Sequence, residues 1–439
     1  MIRLVKNGNV WTDNQLKKVD LVIGEDGKIA HISEGADVSA QDHHAVIDAE
    51  GSYVLPGGID VHAHIQDGVE TFYEGSCAAA VGGITTVVDM PPFHVCSTPE
   101  GLRERMDQAG NECVVDFCTH GGIVVASSDL IQMGDVAMAG AAGFKVFMPA
   151  EPPVSREVLW GAVQTAAKTG LRLVVHAEES ACLLRDVDWT DPLGFTNARP
   201  AVAEDSAAAF LLEMAYAAGA PIHICHVSSG RTAELIDHYR SLGADVTAET
   251  TPHFLLFEKS DFREYGARLK TTPPLREKRD TEILWQALAD GVIDTVISDH
   301  FLGEFPRDDR EVSFEDKGPG IAGLEVSLPV LYHNAVHEQR LTLDRFIQVI
   351  AENPARIFGF DDRKGKLSPG MDADLVILDP ETETLVANCG DFSRASGLPY
   401  EGWHLKGKID HTLVRGVEIW NGQSILVEKG TGKFIARRS

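Results

Sequence analysis

The chain has 439 residues, with 66 Asp and Glu against 39 Lys and Arg, a formal net charge of −27. Such an acidic surface repels phosphate backbones and excludes nucleic acid as a partner. A hydrophobic fraction of 44% beside 24% charged residues belongs to a globular chain, not a disordered one. No stretch approaches the roughly 18 apolar residues of a membrane span. The opening MIRLVKNGNVWTDN lacks the apolar centre of a signal peptide. Seven cysteines without a CxxC pair read neither as a disulfide framework nor as a zinc finger. The expectation is a cytoplasmic protein with reduced thiols.

The first block, residues 1–50, alternates apolar and polar residues around a turn at Glu25-Asp26-Gly27, which is hairpin grammar. The last block, 365–439, does the same, with ADLVILDP from Ala373 to Pro380 and turns at Arg415-Gly416 and Asn421-Gly422. Together the two ends are expected to make a small β-sandwich domain. The middle block, 51–364, alternates β-rich runs with helical stretches such as Ser206 to Gly219, the pattern of βα units on a parallel sheet. The β-rich runs are GGIDVHAHI, ITTVVDMP, CVVDFCTHGGIVV, AGFKVFM, RLVVHAEE, PIHICHVSS, ADVTAETTPHF and IDTVISDH. Eight such units predict an α/β fold with a (β/α)8 TIM barrel; the rival is a doubly wound open sheet.

Chemistry in such a barrel collects at the C-terminal ends of the strands. Five runs place a metal-ligand type there: His62 and His64, Lys145, His176, His226 and Asp299. The i, i+2 spacing of His62 and His64 turns both rings to one side of a strand. Each residue alone has a plain structural reading, as packing, a snorkelling lysine or a helix cap. The set together points to a divalent-metal site. His223 is three positions from His226 and is expected on the opposite side of its strand, in packing; Cys225 is expected in the core, turned away from the site. Asp89 and His120 are weaker candidates. An ammonium has no lone pair for a metal, but burial favours the neutral amine. A neutral amine can add carbon dioxide to give a carbamate able to bridge two cations.

With these motifs the sequence resembles the amidohydrolase superfamily, in its cyclic-amide branch of dihydroorotases, allantoinases and hydantoinases with dihydropyrimidinases. The resemblance runs from LPGGIDVHAHI through EGSCAAAVGGITTVVDMP, GFKVFM, VVHAEE, ARPAVAED, HICHVSS, TPPLR and ISDH to NPARIFG and KGKLSPGMDADLVILD. It implies two divalent cations, with zinc the first expectation, bridged by N6-carboxylated Lys145. His62, His64 and Asp299 would serve the more buried cation, and His176 and His226 the more exposed one. The implied reaction is hydrolytic opening of a cyclic amide or ureide by a metal-activated water, with Asp299 as proton shuttle. Homo-oligomers, dimers or tetramers, are also implied, with a small cyclic amide as the partner molecule.

Substrate motifs divide the branch. Dihydroorotases carry an arginine where this chain has Gln66 and an asparagine where it has Pro92, and an arginine lost from a carboxylate site is not a conservative change. Hydantoinases carry a tyrosine five residues after the bridging lysine, where Ala150 stands. Allantoinases lack that tyrosine and resemble the chain at GIAGLE (Gly320 to Glu325) and at LPYEGWHLKGKI. An allantoinase-like activity is therefore the leading expectation, with hydantoinase-, dihydropyrimidinase- or dihydroorotase-like hydrolysis as the alternative and a non-catalytic scaffold as the second. By position, Gln66, Thr272, Ser228 and Gly320 are the expected substrate contacts. The charged loop from Phe301 to Gly320 is expected to wall the pocket. The GxGxxG match at Gly318 to Gly323 follows no β run and holds Pro319, so it is not read as a dinucleotide loop.

Overall fold

The structure, a computed structural model, describes residues 4–34, 46–188, 190–302, 317–387 and 397–438. A (β/α)8 barrel occupies its centre. One parallel arc joins Gly58–Ala63, Ile84–Asp89 and Asp116–Thr119; the other runs through Gly121–Val124, Phe144–Phe147, Leu173–His176, Ile222–Ile224, Val246–Thr250 and Thr295–Val296. The arcs meet where Ala142 N donates to Thr119 O (2.9 Å) and where His64 N donates to His300 O (2.8 Å). The third β-rich run, expected as one strand, is split at His120. That residue's backbone N–H turns to Asp89 O at 3.0 Å and its ring bonds Val61 O at 3.0 Å.

The helices pack as their apolar faces dictate. Ala201–Ala218 begins directly after Pro200, which stands at the N-cap in extended conformation, and ends at Gly219 in the left-handed region, φ +63°. Its Leu211, Leu212 and Ala215 share one buried cluster with Val175, Ile222 and Ile224 from the strands. A second cluster joins Val61, Val88, Val174 and Cys225, from four different barrel strands or their ends, to Phe358 and Phe360. Residues spaced around a ring meet only through its lumen, so the lumen is packed and not a pore.

Both ends of the chain enter a single eight-stranded sheet. Its order is Val417–Trp420, His404–Val414, Leu375–Leu385, Tyr53–Pro56, Leu4–Thr12, Gln15–Ile23, Ile29–Ser33, with Val46–Asp48 also on Leu4–Thr12. Val5, Val10, Leu21, Ile23, Val54, Leu375 and Leu413 give this sheet a core of its own. Tyr53–Pro56, expected in the barrel segment, instead pairs with Leu375 to Leu378. The chain changes direction after it, at Gly57, where an added Cβ would meet the Thr85 side chain at 2.2 Å. The C-terminal residues return to the barrel, with Ile435 N donating to Phe117 O at 2.8 Å. Among the described residues no helix is long and apolar enough to cross a membrane.

Candidate metal centre

The six ligand-type residues come together at the C-terminal mouth of the barrel, around a cavity of about 280 Å³ lined by all of them. His62 is the penultimate residue of a strand, Gly58–Ala63, that is buried throughout. Its Nε2 lies 3.4 Å from Asp299 Oδ1, and His64 Nε2 lies 3.8 Å from the same oxygen. Lys145, buried, places Nζ 3.5 Å from His62 Nε2. His176 Nδ1 and His226 Nε2 face each other at 3.0 Å. Two backbones here are held in the left-handed region that non-glycine residues avoid, His226 at φ +32° and Asp299 at +49°. Such strain persists where surrounding structure enforces it, often at functional sites.

A layer of carboxylates behind the histidines sets their tautomers. Glu249, fully buried, accepts from His62 Nδ1 and from His223 Nε2 (2.9 Å), so His62 turns a free Nε2 lone pair to the cavity. Glu178 accepts from His176 Nε2 at 2.6 Å and is itself gripped by Arg199 Nε (3.2 Å) and Nη2. Asp67 bonds His64 Nδ1 at 3.1 Å. Ring nitrogens oriented this way are what metal-ligating histidines require.

The electrostatics agree with neutral rings. Burial, reinforced by Lys145, holds His62 well below the ordinary histidine range. Burial, with His176 and His62 beside it, does the same to His226. Burial takes His176 down to about 4 against the pull of Glu178. Burial opposes ionisation of Glu178, yet His176 and Arg199 hold it at about 2. Glu249 is likewise lowered, burial being outweighed by His62 and His223. Asp299 goes the other way: burial raises its carboxyl well above the usual range, with Glu249 and Asp60 adding to the rise and Lys145 opposing it.

The donors fit a cation. Two ligands of a tetrahedral zinc with Zn–N of about 2.05 Å stand about 3.3 Å apart, close to the 3.0 Å between His176 Nδ1 and His226 Nε2. His226 Nδ1 is buried with no hydrogen-bond partner. Donor atoms of His62, His64 and Asp299 lie within 4.8 Å of one another, as do those of His62, Cys225 and His226.

The expected substrate contacts divide. Thr272 and Gly320 line the cavity. Gly320 has φ +155°, and an added Cβ there would strike Phe301 Cδ1 at 2.5 Å. Gln66 does not line it: its Oε1 accepts from Phe72 N at 3.2 Å, at the start of the next helix, and Asp67 takes the place at the wall. Gln66 stands in a turn beyond the strand end at Ala63, with a left-handed backbone, φ +54°. Ser228 is also outside the wall. Its N–H donates to Glu204 Oε1 at 3.0 Å, its hydroxyl donates to Glu204 Oε2, and its Oγ accepts from Arg276 Nε at 2.9 Å. Within the Phe301 to Gly320 loop, residues 303–316 lie outside the described residues.

Other expectations change as well. His223, expected in packing, is fully buried and also reaches Glu249, one link behind His62. Cys225 is buried as expected but faces Lys145, whose Nζ donates to its Sγ at 3.3 Å. Asp89 is no ligand; it pairs with Arg105 at 2.8 and 3.0 Å. That guanidinium in turn donates to Ile65 O (2.6 Å) and Gln66 O (3.3 Å), pinning the loop after the first strand. Glu178, Glu249 and Arg199 were missed in the sequence. A charged residue inside a short β run without any other charge, as in VTAET, is the signal that could have found Glu249.

The amidohydrolase family model matches residues 53–419. The L-hydantoinase of Paenarthrobacter aurescens is 35% identical over 99% of this chain and 98% of its own length. An allantoinase of Salmonella choleraesuis (strain SC-B67) is 30% identical with the same coverage. The solved L-hydantoinase (dihydropyrimidinase) from Arthrobacter aurescens superposes with a TM-score of 0.91 at 34% identity, covering 100% of both chains. The chain belongs to the amidohydrolase family.

Proposed function

We propose that this amidohydrolase is a metal-dependent hydrolase that opens a five-membered cyclic ureide, a hydantoin, with His62, His64, Lys145, His176, His226 and Asp299 as the metal-binding set. The observation that carries the reading is the convergence of these six residues on one cavity at the barrel mouth. Hydantoin and allantoin share one ring and differ at its C5 substituent. The motifs lean to allantoin, whereas identity is higher to the L-hydantoinase than to the allantoinase, 35% against 30%. The cavity wall holds Phe93, Ile123, Phe147 and Phe301. An apolar wall suits an alkyl or aryl substituent better than the polar ureido arm of allantoin, so a 5-substituted hydantoin is placed first and allantoin second.

Two divalent cations, zinc first among them, would be held by the histidines, Asp299 and a carboxylated Lys145. Bound there, they supply a Lewis acid and a nucleophilic water at neutral pH. Everything else falls to the chain. Glu249, Glu178 and Asp67 keep His62, His176 and His64 in the tautomers that offer a lone pair. Asp299, its carboxyl raised by burial, takes a proton at Oδ on attack and returns it to the departing ring nitrogen. Thr272 and the backbone of Gly320 orient the ring, and the aromatic wall excludes water. The barrel, residues 51–364 with its first strand at Gly58, is the catalytic unit in this reading, and the terminal sheet its support. The six described cysteines are free thiols, which suits a cytoplasmic enzyme; a homo-oligomer remains the expectation for its assembly.

The test is ring opening of 5-substituted hydantoins and of allantoin by protein supplied with zinc or manganese and bicarbonate. Turnover of a hydantoin that disappears on chelation and in Asp299→Asn supports the reading. A two-metal protein that opens no hydantoin, allantoin or dihydropyrimidine ring overturns it.

A further inference from the structure

Cys225 has no part in the chemistry above, yet it stands inside the cluster. Its side chain is buried, Lys145 Nζ is 3.3 Å from its Sγ, and its sulfur lies within 4.8 Å of the donor nitrogens of both His62 and His226. The His62 and His226 rings are 5.3 Å apart, so the three donors face one small volume. Cys225 and His226 are neighbours in sequence and would point to opposite sides of a regular strand. The left-handed backbone at His226, φ +32°, removes that alternation and brings both to the same side. Imidazole and thiolate are the donors that zinc-like cations take in tetrahedral sites, and thiolate is the one that soft cations select.

We propose that, while Lys145 is a free amine, His62, His226 and Cys225 form a three-donor site for one thiophilic divalent cation. This mode rests on the reading of the cluster as a metal centre but not on any substrate. On binding, the Cys225 S–H bond breaks, the proton leaves to solvent and a sulfur electron pair goes to the cation; nothing is oxidised or reduced. Carboxylation of Lys145 releases one proton, places a single negative charge shared over two oxygens next to the same histidines, and draws cations away from the sulfur. The two modes compete for His62 and His226, so carbon dioxide decides between a thiolate-held cation and the hydrolytic pair.

The probe is cobalt(II) alone, added to metal-stripped full-length protein in buffer freed of carbon dioxide. The expected result is about one cobalt per chain with sulfur-to-cobalt charge-transfer absorption in the near ultraviolet. That absorption is lost in Cys225→Ser and falls in the wild type when bicarbonate is added. X-ray absorption on the wild type adds a readout that needs no variant: a sulfur neighbour at about 2.3 Å, as in zinc thiolates. Cobalt bound without a sulfur neighbour, absorption that survives in Cys225→Ser, or indifference to bicarbonate each overturns the proposal. Hydantoin hydrolysis measured on the same samples after bicarbonate separates the two readings. A thiolate signal without hydrolysis counts against the hydrolase only, and hydrolysis without the signal counts against the thiolate site only.

Discussion

Of the buried lysines, Lys145 and Lys364 have surroundings that differ completely. Lys364 Nζ sits 2.6 Å from Asp116, 2.5 Å from Asp374 and 3.1 Å from Asp372, joining a barrel strand to the terminal sheet. Lys145 Nζ meets a histidine at 3.5 Å and a thiol at 3.3 Å, and among the described residues no carboxylate pairs with it. Burying an ammonium costs several kcal/mol unless charge and hydrogen bonds offset it. At Lys364 the offset is present, and the residue needs no role beyond the fold. At Lys145 no carboxylate stands in pairing range, although Asp299 feels its charge across the cavity, and a buried ionisable group lining a cleft is where chemistry is expected.

The sharpest way to break this contrast is at the mouth. Asp299→Asn should lower hydantoin turnover about 10²–10⁴-fold, the usual span for a lost acid–base group, with thermal stability little changed. A variant within tenfold of the wild type at saturating metal would remove Asp299 from the proton path. Lys145→Met should leave a folded chain that retains no cation pair by elemental analysis. Lys364→Met should do the reverse. It strands Asp116 and Asp374 without their cation, costing about 3–5 kcal/mol by urea unfolding, while activity per folded molecule holds. A loss below about 1 kcal/mol would mean that Arg415, which also pairs with Asp116, carries the network without the lysine.

A smaller effect tests the layer behind the ligands. Glu249→Gln removes the carboxylate charge behind His62 and leaves one acceptor oxygen where His62 and His223 now use two, and should weaken cation affinity about 10–100-fold. Competition against a chromophoric chelator measures it directly. Unchanged affinity would show that the ring keeps its tautomer without the carboxylate, and Glu249 would then be a packing residue shared with His223.

The barrel and the six residues that meet at its mouth were legible because the βα units that carry them are periodic. Each βα unit repeats an apolar run, and His62, Lys145, His176, His226 and Asp299 end or interrupt those runs with residues that cost energy to bury. What escaped was set by single dihedral angles and by long-range contacts. Gln66 was placed in the cavity by its position after the two histidines, and a left-handed turn there carries its side chain to Phe72 N instead; the left-handed residue His226 overturns the alternation by which Cys225 was placed outside the site. Glu249 lies 187 residues from His62, a separation no local pattern reports. Ser228 looks free in HICHVSS and is claimed by Glu204 and Arg276, one from the preceding helix Ala201–Ala218 and one from TPPLR. The strand Tyr53–Pro56 reads like the barrel run it precedes, and only its partners across the sheet assign it to the other end of the molecule.

The least conspicuous consequence of burial lies away from the site, at His253. Its ring is buried, its Nε2 has no hydrogen-bond partner, and burial alone lowers it from 6.5 to about 3. Between those two values the unfolded chain binds a proton that the folded chain refuses. Stability from this group is therefore complete above about pH 6.5 and declines as the pH falls toward 3, by about 1.4 kcal/mol per pH unit. Urea unfolding at pH 7, 6 and 5 should show that slope in the wild type and a slope shallower by this amount in His253→Leu. Parallel slopes in the two proteins would mean that the ring finds a proton partner on acidification, and that the unpartnered Nε2 is relieved by a local shift and not by unfolding.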